Sequence, residues 1–231
     1  MRTLVLLIGV LGIGLIAGDR GGVVLVQNEV GRQIAAGYSL PDRPHVEIRG
    51  VPFLTQAIDG TYRDIDIRVG DWSGQQISVH DLDVALTGVS APLTDMVQGR
   101  TSNIVAQTAT ATALVPFDTI QHFAPPEVES ISNGPDGLRV SGTFPVEGVP
   151  VAGTVVVTVA PTDNGIEVTP VSVRTAGDGP TIPLALLRRN LTFTVPLQRL
   201  PLGAQLTAIQ SAATGLRVTA VAHTVRLSDM S

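Results

Sequence analysis

Ile65, Ile67 and Val69 alternate with Asp64, Asp66 and Arg68, and segments of this kind recur from Ile58 to the C-terminus. A period of two puts successive side chains on opposite faces of an extended strand, one buried and one wet. A chain that repeats this over most of its length has to build sheet. The next strand carries Ile77 and Val79, then Leu82, Val84 and Leu86, and its phase flips at His80-Asp81, which predicts a bulge. Asn103–Val115, rich in Thr and Ala, reads as a strand. So do Leu138–Phe144, Val151–Ala160, Ile166–Arg174 and Leu191–Val195, and then a closing hairpin of Gln205–Ser211 and Leu216–Leu227 around Ala213-Thr214-Gly215. Asn164-Gly165 is the strongest hairpin signal. Nearly all these strands are sequence neighbours, so antiparallel meander pairing is expected. Where both faces are apolar, as along Val155-Val156-Val157 or Val218 to Val221, a second layer has to cover them.

Helix is predicted in few places. Val23, Val26, Val30 and Ile34 recur at steps of three and four, giving an amphipathic helix over Gly22–Ala36 with Gly37 as its C-cap. Its expected role is to cover one face of a sheet. Pro116–Phe123 fits a short helix, with Phe117, Ile120 and Phe123 at steps of three. Ile182–Arg189 reads as another short helix. Ala91–Gly99 reads as a loop or short helix, and Phe53–Gln56 as a turn or a single helical turn. Pro41, Pro44 and Pro52 frame a short extended piece. The fold class is therefore α+β and strand-dominated, with residues 19–231 as one domain and an internal break near 124–127, at Pro125-Pro126.

The N-terminus reads differently. Leu4–Ile16 is an uncharged run of thirteen residues behind Arg2, and Asp19-Arg20 ends it. That length suits a secretion signal, whereas a spanning helix needs about 20 apolar residues. Leu15-Ile16-Ala17 and Ile16-Ala17-Gly18 are poor cleavage sites, because each puts a large residue where a small one is preferred. Residues 1–18 are thus a signal peptide or a short membrane anchor, and the body is expected on the outer side of the cytoplasmic membrane. Gly12-Ile13-Gly14-Leu15-Ile16-Ala17 fits the G-x-G-x-x-A dinucleotide fingerprint. That motif needs a second strand ending in an acid about 20 residues on, and a helical pattern stands there instead.

Composition excludes several functions. Net charge is −5, and removing Arg2 with residues 1–18 leaves −6, so nothing attracts nucleic acid or a broad anionic surface. Five Phe, two Tyr and one Trp are too few to read bases by stacking. With no Cys, there is no disulfide, thiolate metal site or Cys nucleophile. The four His (His45, His80, His122, His223) are scattered. Asp64-x-Asp66 and Asp81-x-Asp83 have the spacing of a metal-binding pair, which is also the spacing of any wet strand face. No nucleophile elbow or phosphate-binding loop is present. The chain is expected to be no enzyme and to hold no metal and no cofactor.

Two stretches carry a resemblance. The first is Pro44-x-Val46-x-Ile48-x-Gly50-x-Pro52-Phe53-Leu54-Thr55-Gln56, followed by Gly60-x-Tyr62-x-x-Ile65-x-Ile67. The second is Leu200-Pro201-Leu202-Gly203, Leu206, Gly215-Leu216-x-Val218-x-Ala220 and Val225-x-Leu227. Together they resemble the LmeA family of actinobacterial envelope phospholipid-binding proteins, over roughly residues 23 to 227. The resemblance implies a fold akin to the tubular lipid-binding proteins, the group of the bactericidal permeability-increasing protein. There, a long twisted antiparallel sheet wraps a helix and leaves an apolar groove. It also implies phospholipid ligands, including phosphatidylinositol, and a link to maturation of mannosylated inositol lipids, lipomannan and lipoarabinomannan. Ala222-His223 departs from the family pattern, where a small residue and Gly are expected, and implies an altered turn or bulge.

On this reading the partners are phospholipid, a membrane surface and envelope glycosyltransferases. Candidate groove residues are Val23, Val26, Val30 and Ile34 on the helix, with Phe53, Leu54, Phe117, Ile120 and Phe123 near a mouth. For any one of them plain core is the stronger explanation, and the Phe53-Leu54 pair after Pro52 makes the best case for ligand or membrane contact. Arg188-Arg189, the only adjacent basic pair, and Arg43 and Arg49 beside the Pro-framed segment are the headgroup candidates. The competing function is an envelope adaptor or scaffold for a membrane glycosyltransferase that binds no lipid.

Overall fold

The structure is a computed structural model. It describes residues 2–73, 77–98, 100, 102–146, 149–162, 165–175, 185, 188, 191–196 and 203–226, with the helical backbone alone for 2–17. The chain divides into two compact units, residues 1–70, 83–111 and 222–231 in the first and 71–82 and 112–221 in the second. Pro125-Pro126 lies inside the second unit.

Strands dominate and all pair antiparallel where register is defined. They are β1 (His45–Arg49), β2 (Thr61–Ser73), β3 (Ser78–Ser90), β4 (Val105–Pro116), β5 (Val128–Gly134), β6 (Gly137–Val146), β7 (Val149–Thr162), β8 (Gly165–Thr175), β9 (Phe193–Pro196), β10 (Gln205–Ser211) and β11 (Gly215–Arg226). They form two sheets, ordered β1-β2-β3-β4-β11-β10 and β5-β6-β7-β8-β9. The second is a pure meander, as the adjacency of its strands in sequence requires. β7 and β8 pair as far as Thr162 with Gly165, the hairpin that Asn164-Gly165 signals. The bulge expected at His80-Asp81 has its backbone mark, since Asp81 sits at φ 50°. Thr224 sits at φ 52°, directly after the departing Ala222-His223 pair.

The first helix corrects the sequence reading. α1 runs unbroken over Arg2–Tyr38, joining the apolar run to the predicted amphipathic helix. Asp19 does not end it, because its buried side chain accepts a hydrogen bond from the Leu54 amide. The Gly12-to-Ala17 stretch is helical, with no strand before it, so the dinucleotide fingerprint has no structural basis. The C-terminal cap also moves. Gly37 stays helical, Ser39 takes the left-handed position at φ 51°, and the Leu40 N–H donates to the Ala35 carbonyl at 3.0 Å. That is a Schellman closure, with Pro41 beyond it to stop the chain. Among the described residues, no helix is long and apolar enough to cross a membrane.

Within the first unit, α1 packs on β1, on α2 (Phe53–Asp59) and on α3 (Leu93–Gln98). Val23 is buried and Val26, Val30 and Ile34 are half-buried, so the stripe read from the sequence does face inward. Gly31 lies in that stripe, and a Cβ there would come within 2.8 Å of the Pro44 carbonyl oxygen, so only glycine lets the helix sit this close to the entry of β1. Val46, Ile48, Phe53, Ala57, Tyr62 and Ile65 complete the core beneath.

The second unit has its own core. Val115, Ile120, Val140, Val155, Ile166, Val168, Val195 and Leu216 form its centre. β7 is buried on both faces along Val155-Val156-Val157, and β10 also packs against it. α4 (Phe117–His122) packs on β5, a strand the sequence reading missed because Ser130, Ser132 and Asn133 dilute its alternation.

Candidate functional site

The site is built around α2. Its N-cap is Pro52, which has no side chain able to accept a hydrogen bond, and the first amides of a helix need an acceptor. Asp19 of α1 supplies it. Its Oδ1 accepts the Leu54 N–H at 2.6 Å, so an acid 35 residues away in sequence caps α2 and pins it to α1. Gly22, one turn further along α1, leaves the space in which Phe53 and Leu54 lie. At its other end α2 closes on Gly60, at φ 64°, whose N–H returns to the Gln56 carbonyl.

α2 has three distinct sides. Phe53 and Ala57 point into the core, and the Phe53 ring lies 6.4 Å from that of Tyr62. Leu54 and Ile58, four residues apart and so stacked on one face, are 40% and 85% exposed. Thr55, Gln56 and Asp59 line an open pocket of about 370 Å³, shared with Val51, Pro52, Thr61, Tyr62, Arg63 and Gly88. A smaller pocket of about 180 Å³ lies beside Asp19, Arg20, Val23, Phe53 and residues 47–51.

The larger pocket has the chemistry of a polar ligand. Arg63 lines it, its side chain exposed and without an ion-pair partner among the described residues, and its backbone N–H donates to Gln56 Oε1 at 3.1 Å. Tyr62, which also contributes to the lining, is buried, and its hydroxyl has no hydrogen-bond partner among the described residues. Burial pushes the Tyr62 phenol up from its ordinary range, so it stays a neutral donor at physiological pH.

The sequence candidates are distributed unevenly. Val23, Val26, Val30, Ile34, Phe53 and Leu54 come together in the first unit, whereas Phe117, Ile120 and Phe123 belong to the second. Phe53 is a core residue at 3% exposure, which corrects its expected place at a mouth; Leu54 is its exposed neighbour. Ile120 is completely buried, and Phe117 and Phe123 pack against the second unit's core.

Among the headgroup candidates, Arg49 is already committed. Its Nη2 lies 2.7 Å from Asp66 Oδ2 and its Nε 3.6 Å from Glu47, while Arg68 reaches Glu47 at 3.5 Å. The Arg49–Asp66 contact is an ion pair without hydrogen-bond alignment, since Asp66 Oδ2 makes no hydrogen bond. Arg43 is exposed, its methylene stem beside Gly31. Arg188 donates from Nε to the Pro170 carbonyl at 3.3 Å, and Arg189 lies outside the described residues. The two D-x-D pairs gather no further ligand: among the described residues no three acids or histidines are grouped to hold a metal.

The sequence reading missed Arg63 and Asp19. For Asp19 the sequence showed only that α2, beginning after proline, lacks a cap of its own; the acid that supplies one stands 35 residues earlier, and nothing local points to it. Arg63 gave no signal, because an exposed Arg at a strand start looks like surface.

The family model for LmeA-like phospholipid-binding proteins matches residues 17–221. The chain belongs to that family. The match begins at the end of the apolar run and takes in the Asp19 latch, α2 and its pocket, and both sheets up to Val221, midway along β11. Membership supports phospholipid binding. Neither a search of curated proteins nor one of solved structures finds a match.

Proposed function

We propose that this chain binds a phosphatidylinositol-type phospholipid on the outer side of the cytoplasmic membrane, exported or held there by its N-terminal run. In that place it supports maturation of mannosylated inositol lipids such as lipomannan and lipoarabinomannan, and the envelope glycosyltransferases acting on those lipids are its partners. The observation that carries the reading is the family match across residues 17–221. Export is supported by Arg2 standing before the uncharged run, since positive charge is retained on the cytoplasmic side.

The headgroup is assigned to the pocket along α2. A guanidinium without a carboxylate partner suits a phosphate, which it binds through a charge-assisted fork. Hydroxyl and amide groups on Thr55, Gln56 and Thr61, with the Asp59 carboxylate, offer donors and acceptors to a polyol ring. Acyl chains are assigned to the apolar side of α1 at Val23, Val26, Val30 and Ile34. Each buried methylene contributes about 0.8 kcal/mol relative to water, but a bilayer offers nearly the same. Discrimination between lipids therefore rests on the headgroup.

The test is titration with short-chain, micelle-free phosphatidylinositol and phosphatidylcholine. Phosphatidylinositol is expected to bind more tightly, and Arg63→Gln to weaken it roughly 10-fold or more, the worth of one hydrogen bond to a charged group. Equal affinity for the two lipids, unmoved by Arg63→Gln, refutes this assignment.

A further inference from the structure

We propose that the outward face of α2, formed by Leu54 and Ile58, together with exposed Val51 just before the helix, is seated in the surface of a lipid bilayer beside the point where α1 enters it. This rests on the phospholipid reading above and adds the surface by which the protein meets the membrane.

Three large apolar side chains within eight residues are left to solvent, Val51 at 69%, Leu54 at 40% and Ile58 at 85% exposure. Single exposed apolar residues are ordinary, but a group on one short element marks a contact surface. What covers it follows from the neighbouring helix. Asp19 holds the start of α2 against α1, and Asp19 is only three residues past Ile16, the end of the uncharged run. At 1.5 Å per residue that is about 4.5 Å along the axis. Because α1 is continuous across this point, a bilayer that takes up the apolar run brings its surface to α2. Leu25, 73% exposed, follows Gly22 by three residues, and Gly22 is where Phe53 and Leu54 pack, so the apolar strip extends one turn further along α1.

The charge pattern says how the face is held. The body carries −6 once residues 1–18 are set aside, so anionic lipid does not draw it in. Apolar insertion is what remains, and it persists at about 1 M salt, where charge attraction is screened beyond about 3 Å.

The chain has no Cys, so single-cysteine probes are clean. The full chain, carrying Leu54→Cys, Ile58→Cys or, as a control, Ala36→Cys, is labelled with a fluorophore and reconstituted into phosphatidylcholine–phosphatidylglycerol vesicles. Ala36 is exposed and lies 17 residues beyond Asp19, about 25 Å along the helix. Nitroxide-bearing lipid is expected to quench positions 54 and 58 at least twofold more than position 36, and aqueous iodide to quench them less, at low and high salt alike. Position 58 open to iodide and untouched by lipid nitroxide overturns the proposal. So does shielding from both quenchers, which means that a second copy of the chain covers the face. Short-chain phosphatidylinositol binding is measured on the same preparations. Retained binding with a water-exposed position 58 refutes the seating alone, and lost binding with a lipid-quenched position 58 refutes the headgroup reading alone.

Discussion

Asp19→Ala tests the latch on which both the pocket and the exposed face depend. The carboxylate is buried, at 7% exposure, and holds the Leu54 amide at 2.6 Å. Alanine removes the acceptor and leaves the first turn of α2 without a cap, since Pro52 cannot substitute. A hydrogen bond to a charged group is worth about 1.5–3 kcal/mol, and loss of an N-cap about 0.5–2 kcal/mol. These describe the same bond and do not add. The opening of α2 is therefore expected to become roughly 10- to 150-fold more populated. Hydrogen exchange of the full chain in detergent or nanodiscs reads this directly, because local opening sets the rate at which α2 amides exchange. The amides of Leu54 to Ala57 should lose protection by that factor, while those of β6 and β7 keep theirs. Asp19→Asn retains an acceptor and should lose less. Unchanged protection of α2 in Asp19→Ala would refute the latch.

Other perturbations separate core from surface. Phe53→Ala should destabilise by about 3–5 kcal/mol, as for a buried aromatic, whereas Ile58→Ala at an 85% exposed site should shift chemical denaturation hardly at all. Asp95 is held below its ordinary carboxylate value by hydrogen bonds from Asn103 at 2.8 Å and Arg100 at 2.6 and 2.9 Å. A depressed folded-state value means its contribution is full above the ordinary carboxylate range and is lost as pH falls through the depressed value. Asp95→Asn should accordingly flatten the acid limb of the stability profile. Thr224→Gly should stabilise by about 1 kcal/mol in a denaturant titration, because a β-branched residue at φ 52° carries left-handed strain that glycine does not.

Much of the sheet was legible because strand alternation is a local property. The final hairpin, the Thr162–Gly165 pairing and the break at Asp81 each come from a few adjacent residues. The inward face of α1 was legible for the same reason, as Val23, Val26, Val30 and Ile34 repeat on helical spacing. What failed depends on partners distant in sequence. Asp19-Arg20 looked like the end of an apolar run, because the amide that accommodates the acid belongs to Leu54. Phe53 looked exposed after Pro52, since only the packing of α2 shows which side of its first turn is buried. The partition of strands into two sheets is likewise set by long-range pairing, with β4 placed beside β11 rather than β5. Among charged residues, local sequence cannot separate Arg49, which meets Asp66 and Glu47, from Arg63, which meets no acid among the described residues.

The most direct test of the central claim is native mass spectrometry of the full chain released gently from its own host's membranes. The account calls for one added mass equal to a phosphatidylinositol-type lipid, diminished in Arg63→Gln. Protein that emerges without lipid, and stays so after incubation with vesicles containing phosphatidylinositol, would contradict it.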